Sequence, residues 1–75
     1  MNNKRRQEIR KNIESLSVIS NNIDIILDEE SDCLDNMPEN LEGSERYEAM
    51  ENAVDSLSDA VDKIEEVIGC LNDAI

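Results

Sequence analysis

The chain has 75 residues and a net charge of −12, with 19 Asp and Glu against seven Lys and Arg. It contains no Phe, no Trp and one Tyr, so it lacks the bulk for a large core and disfavours an enclosed active-site cavity. Such a surface repels nucleic acid and anionic lipid and attracts basic partners. No apolar run approaches the roughly 18 residues of a membrane span, and the basic N-terminus precedes mixed polar sequence. We expect one domain, residues 1–75, in the cytoplasm, with no direct binding to nucleic acid or membranes.

The first predicted element is a long helix over residues 3–34. An apolar seam with heptad spacing runs along it, and Ser20 and Glu30 interrupt this seam. The seam consists of Ile9, Ile13, Leu16, Ile23, Leu27 and Leu34, and a flanking row consists of Ile19, Ile26 and Cys33. The pattern predicts one face for a partner helix, with a second apolar row beside it.

Val18 and Ile25 lie seven residues apart on the side of this helix away from the seam. Single apolar residues on a surface are common. A spacing of seven also fits a second contact stripe. The sequence leaves both interpretations open.

Residues 35–43 form the predicted turn between the helices. Pro38 can open a short helical turn, Gly43 can take the left-handed conformation that ends it, and Ser44 can cap the next helix. About nine residues are enough to reverse the chain. The two helices are therefore predicted to run antiparallel.

The second helix is predicted over residues 44–74 and carries the strongest pattern in the chain. Its apolar residues alternate steps of three and four from Tyr47 to Ile75, which is a coiled-coil seam. The a positions are Tyr47, Val54, Val61, Ile68 and Ile75, and the d positions are Met50, Leu57, Ile64 and Leu71. The neighbouring g row is Ala53, Ala60, Val67 and Ala74. These small residues widen the apolar face and allow close approach of a helix.

A two-helix hairpin shields only one side of each seam, and chains below about 70 to 80 residues usually need disulfides, metal or association. Cys33 lies near the turn and Cys70 near the open end, too far apart to bridge. The chain has no His, which makes zinc implausible. We predict an all-α, antiparallel coiled-coil hairpin that pairs into a four-helix bundle, the competing option being another protein in the same groove. The predicted oligomer interface is Ile19, Ile26, Val54, Leu57, Val61, Ile64, Ile68 and Leu71.

Two acidic patterns have spacings that partly match known metal sites. Residues 28–39 place acids at several calcium-loop positions, but Cys33 replaces the turning Gly and Pro38 adds constraint. Glu48-x-x-Glu51 and Asp62-x-x-Glu65 are similar to the magnesium carboxylates of all-helical nucleotide pyrophosphohydrolases. Their b and e positions lie on the solvent side of the helix, however, so the carboxylates diverge and do not converge on a metal ion. Without His, no general base or nucleophile can be assembled. We expect no enzyme activity, no metal and no cofactor.

The acidic side of the second helix is the remaining candidate. Its carboxylates recur about every 5 to 6 Å along the axis, which approximates the phosphate spacing of a nucleic-acid strand. We define the acidic row as Glu48, Glu51, Asp55, Asp59, Asp62 and Glu66. Together with Met37 and Tyr47 at the turn, this row is the predicted surface for a basic, nucleic-acid-binding protein. The alternative is a solvated face on a structural oligomerisation or adaptor coiled coil.

Residues 35–48, DNMPENLEGSERYE, resemble the turn of short, acidic, mostly uncharacterised helical proteins of Gram-positive bacteria and their prophages. Residues 51–57 and 59–61 are similar to the second helix of that group. No catalytic or binding residue of the group can be transferred. The resemblance implies a phage setting, in which small acidic proteins inhibit host nucleases and other defence enzymes. Anti-CRISPR activity is one instance of that class.

Overall fold

The computed structural model describes residues 1–75 and contains two long helices and no strand. Helix α1 spans Asn3–Asp35 and helix α2 spans Glu45–Ala74, and the two pack against each other. The Cα atoms occupy 59 × 15 × 12 Å. A 33-residue helix is already about 50 Å long, so the helices must lie side by side and antiparallel. The predicted all-helical hairpin is confirmed.

Both ends of α1 are closed by asparagine. The Asn2 Oδ1 atom accepts a hydrogen bond from the Arg5 backbone N–H at 2.8 Å, which is a standard N-cap. At the other end, the Asn36 backbone N–H and its Nδ2 atom both donate to the Asp32 carbonyl, at 3.1 and 2.9 Å. These bonds satisfy backbone groups that a helix end leaves without a partner. Helix α1 ends at Asp35, one residue past the predicted end.

The turn is built from local hydrogen bonds around a short 3₁₀ helix, Glu39–Leu41, that follows Pro38. The Leu41 N–H donates to the Pro38 carbonyl at 2.9 Å. Gly43 has a φ of 80°, a conformation that costs glycine least. The Ser44 N–H then donates to the Leu41 carbonyl at 3.1 Å, and α2 begins at the next residue. Pro38 and Gly43 thus adopt the conformations that their residue types predict.

Loss of the Ser44 hydroxyl will destabilise the hairpin. The Ser44 Oγ atom accepts a hydrogen bond from the Tyr47 backbone N–H at 3.2 Å, which caps α2. We expect Ser44→Ala to lower the free energy of unfolding by about 1 kcal/mol, measured by urea denaturation. Ser56→Ala is the matched control, because Ser56 is exposed within α2 and makes no cap. An equal loss in both variants would contradict the capping role.

The core of the hairpin is a thin strip between the two seams. Every seam residue of both helices is half-buried or buried, and Val61 of α2, at 7% exposure, is the most buried residue. Ser20 of α1, at 8%, is the other buried residue. Ser20 lies 15 residues before the end of α1 and Val61 lies 16 residues after the start of α2, so both are at the same height. Ser20 and the half-buried Glu30 therefore belong to the packed strip that they interrupt in the sequence.

Apolar contact, not polar pairing, joins the helices. All side-chain hydrogen bonds of the structure connect residues three or four apart in the sequence. No buried side-chain nitrogen or oxygen lacks a partner. Two seams of half-buried residues are therefore the principal source of attraction between α1 and α2.

Candidate functional site

The hairpin has two unlike edges. In an antiparallel pair of helices, the two g rows border one edge and the two e rows border the other. With Ser20 and Leu27 at a positions of α1, the g rows supply what we define as the apolar edge: Ile19, Ile26, Cys33, Ala53, Ala60, Val67 and Ala74. The e rows supply Arg10, Ser17, Asp24, Ser31, Glu51, Ser58, Glu65 and Asn72. All apolar flanking residues therefore share one edge, and the opposite edge is entirely polar.

The large residues of the apolar edge are open to solvent. Ile19, Ile26 and Val67 are 47%, 50% and 46% exposed. Val18 and Ile25, at 59% and 57%, are exposed on a different face of α1, at f positions turned away from α2. The fold therefore leaves two separate apolar stripes on the surface of α1, and only the first continues onto α2.

The acidic row lies on the side of α2 away from the apolar edge. All six of its residues are exposed, and they occupy the b, e and f positions. From Glu48 to Glu66 the row extends about 27 Å at 1.5 Å per residue. Exposed Glu14, Asp24 and Asp28 occupy the b and e rows of α1 and continue the negative charge across the same face. The result is a long acidic face.

The turn places Met37 and Tyr47 at one end of the hairpin, and both are half-buried. Partial burial raises the pKa of the Tyr47 hydroxyl above its ordinary 10.0, and the negative charges of Glu51, Glu42 and Asp35 raise it further. Acids from α1, the turn and α2 thus surround the only aromatic side chain. This neutral hydroxyl is available as a hydrogen-bond donor beside the acidic row.

The Tyr47 hydroxyl provides a direct test of that environment. Because the pKa of Tyr47 is raised on folding, this hydroxyl ionises at lower pH in the unfolded chain than in the folded one. The contribution of Tyr47 to the free energy of unfolding is therefore fully present below pH 10.0 and is lost as the pH rises through the folded pKa. We expect tyrosinate absorbance near 295 nm to appear at higher pH in the native protein than in urea. Tyr47 is the only Tyr and there is no Trp, so the signal has one source. Identical titration curves in the two states would contradict this environment.

The predicted oligomer-interface residues fall into two sets. Val54, Leu57, Val61, Ile64, Ile68 and Leu71 pack in the strip between α1 and α2, whereas Ile19 and Ile26 lie on the apolar edge. The sequence pattern predicts the row of Ala53, Ala60, Val67 and Ala74 on the second helix and the row of Ile19, Ile26 and Cys33 on the first, but the prediction does not place the two rows on one edge. The antiparallel rule for g rows was the signal that could have done so.

The surface of the hairpin has no detectable cavity. Its acids and cysteines form no cluster of three or more that could hold a metal ion. Cys33 and Cys70 are both free and exposed. Neither helix has the length and apolar character needed to cross a membrane.

Comparison with protein-family models, curated proteins and solved structures finds no match to the chain. The resemblance of residues 35–48 to acidic prophage proteins therefore stays a prediction. The two surfaces of the hairpin that bear on function are the acidic face and the apolar edge.

Proposed function

We propose that this protein is a small acidic protein-binding module, a phage-type inhibitor that covers the basic nucleic-acid-binding surface of a host defence enzyme in the bacterial cytoplasm. The observation that supports this function best is the acidic row, because all of its residues are exposed on one side of a single long helix. The resemblance of the turn to prophage proteins favours the same function.

The mechanism is electrostatic competition. Carboxylates that recur every three or four residues along α2 occupy the same positively charged channel as the phosphates of a nucleic acid. The net charge of −12 adds long-range attraction, which speeds the encounter. Charge alone does not select one enzyme, so shape-specific contact comes from Met37 and Tyr47 at the end of the row. The protein blocks the channel without binding nucleic acid itself.

The protein works as a homodimer in this proposal, with two hairpins paired into a four-helix bundle. A second candidate function is a structural oligomerisation or adaptor coiled coil without inhibitory activity. The exposed apolar edge favours that candidate, since it supplies an association surface that needs no basic target.

Displacement of nucleic acid separates the two functions. Fluorescein-labelled single-stranded DNA is bound to each of a panel of purified bacterial nucleases and other nucleic-acid-binding defence enzymes, and the protein is titrated in. We expect it to release DNA from one enzyme or a few. The affinity should fall steeply as salt rises from about 0.05 to about 0.5 M, because the Debye length shortens across this range.

Polyglutamate of similar length is the matched control for charge without shape. Equal displacement by polyglutamate and by the protein, across the whole panel, would show non-specific competition by a polyanion. Displacement from no enzyme would contradict the inhibitor function and favour the structural one.

A further inference from the structure

We infer that the apolar edge is the docking surface for a second copy of this chain, with Ile19, Ile26 and Val67 as its principal contacts. This inference deepens the pairing proposed above by naming the surface. It does not depend on the acidic row, which is a different surface of the hairpin. Pairing and target binding are also measured by different assays, so the failure of one proposal can be distinguished from the failure of the other.

The surface area of the chain is larger than a compact monomer of its mass requires and leaves room for a dimer interface. The chain exposes 5635 Å², whereas a compact monomer of 8.5 kDa exposes about 4650 Å². The radius of gyration is 17.2 Å against about 11 Å for a compact domain of 75 residues. The excess of about 1000 Å² is comparable with the roughly 800 Å² that each partner contributes to a standard interface.

Charge selects a second copy as the occupant. Besides its apolar residues, this edge holds Arg5, Asn12 and Arg46 in the g rows and no acid, although a quarter of the chain is acidic. The neighbouring c row of α2, which is Ala49, Ser56, Lys63 and Cys70, also has no acid, whereas the c row of α1 has Glu8 and Glu29 on either side of Ser15 and Asn22. A basic partner is drawn to the acidic face instead. An equally acidic second copy meets least repulsion at the apolar edge.

The edge also fits itself in shape. It carries bulky isoleucines on α1 and small alanines at positions 53, 60 and 74 on α2. A two-fold axis along the bundle places α1 of one copy over α2 of the other, so that a bulky row meets a small row. All neighbouring helices then run antiparallel, and the d residues next to the g rows become covered as well. Both acidic faces remain outside the bundle.

The test is the mass in solution by sedimentation equilibrium at tens of micromolar. We expect the wild-type protein to have twice the chain mass of 8.5 kDa. I19Q/I26Q should raise the dissociation constant by at least about 100-fold, since it removes four exposed isoleucines per dimer. V18Q/I25Q is the matched control on the same helix and should change the constant by less than about threefold. A monomeric wild type, or a control that dissociates as readily as I19Q/I26Q, would overturn the inference.

Folding of the variants is read separately by circular dichroism. If I19Q/I26Q loses its helices, V67Q is compared with V18Q, because each replaces one exposed valine. V67Q should weaken pairing by at least about tenfold with its helices retained, and V18Q should not. The melting temperature of the wild type should rise with protein concentration, as coupled dissociation and unfolding require. A melting temperature independent of concentration, or equal pairing in V67Q and V18Q, would also overturn the inference.

Discussion

Val61→Asp should abolish the helical hairpin. Val61 is the most buried residue and lies in the middle of the strip between α1 and α2. An aspartate there would lose the hydration of its carboxyl group, and no basic side chain occupies the neighbouring seam positions of either helix to compensate. An unpaired charge in such a position costs about 3 to 5 kcal/mol, most of the stability of a chain this small. The measurement is the far-ultraviolet circular dichroism signal, which should lose most of its helical intensity at 25 °C.

Val18→Asp is the control for this change. It makes the same replacement in α1, but at a side chain that is 59% exposed. We expect its free energy of unfolding to stay within about 0.5 kcal/mol of the wild type. A cooperative, fully helical Val61→Asp variant would mean that the strip between the seams does not hold the hairpin together.

Reversal of three charges in the acidic row, Glu48→Lys, Asp55→Lys and Asp62→Lys together, should abolish inhibition of the target. All three residues are exposed at b positions of α2, so the hairpin has no packing to lose. Each reversal replaces an attraction to a basic surface by a repulsion. We expect an affinity loss of at least about 100-fold in the displacement assay, together with a weaker dependence on salt.

Three acids on the other helix provide the matched control for net charge. Glu8, Glu29 and Asp32 are exposed at c and f positions of α1, on the side turned away from α2. Their reversal to Lys changes the net charge of the chain by the same amount. It should slow the encounter modestly and change the affinity by less than about tenfold. Equal losses in both triple variants would show that only total charge matters and that the acidic row is not a specific surface.

Pairing in the proposed dimer and inhibition of the target can be measured independently. Charge reversal in the acidic row should leave the sedimenting mass unchanged, because both acidic faces lie outside the proposed bundle. I19Q/I26Q should dissociate the pair while each chain keeps its acidic row. Loss of inhibition without loss of pairing would therefore identify the surface that contacts the target.

The sequence alone was sufficient for the two helices and the turn. An unbroken alternation of three and four from Tyr47 to Ile75 has no other regular solution than an amphipathic helix. Pro38, Gly43 and Ser44 determine where the chain turns, because each residue type prefers the backbone conformation it adopts there. The Asn2 cap was not predicted, since an asparagine two residues from the start has no apolar pattern beside it to mark a helix end.

The tertiary structure established the pairing of α1 with α2, on which the sharing of an edge by two rows of residues depends. A heptad pattern assigns each row to a face of its own helix, but which rows meet depends on the direction and register of the partner helix. The structure places Ser20, which the pattern treats as an interruption, among the two buried residues, because it lies level with Val61. It also brings Asp35 of α1 close to Tyr47 across the turn, whereas the proximity of Glu51, four residues further along the same helix, follows from the sequence. Local periodicity therefore determined the helices, and the antiparallel packing determined the two edges on which the proposed function depends.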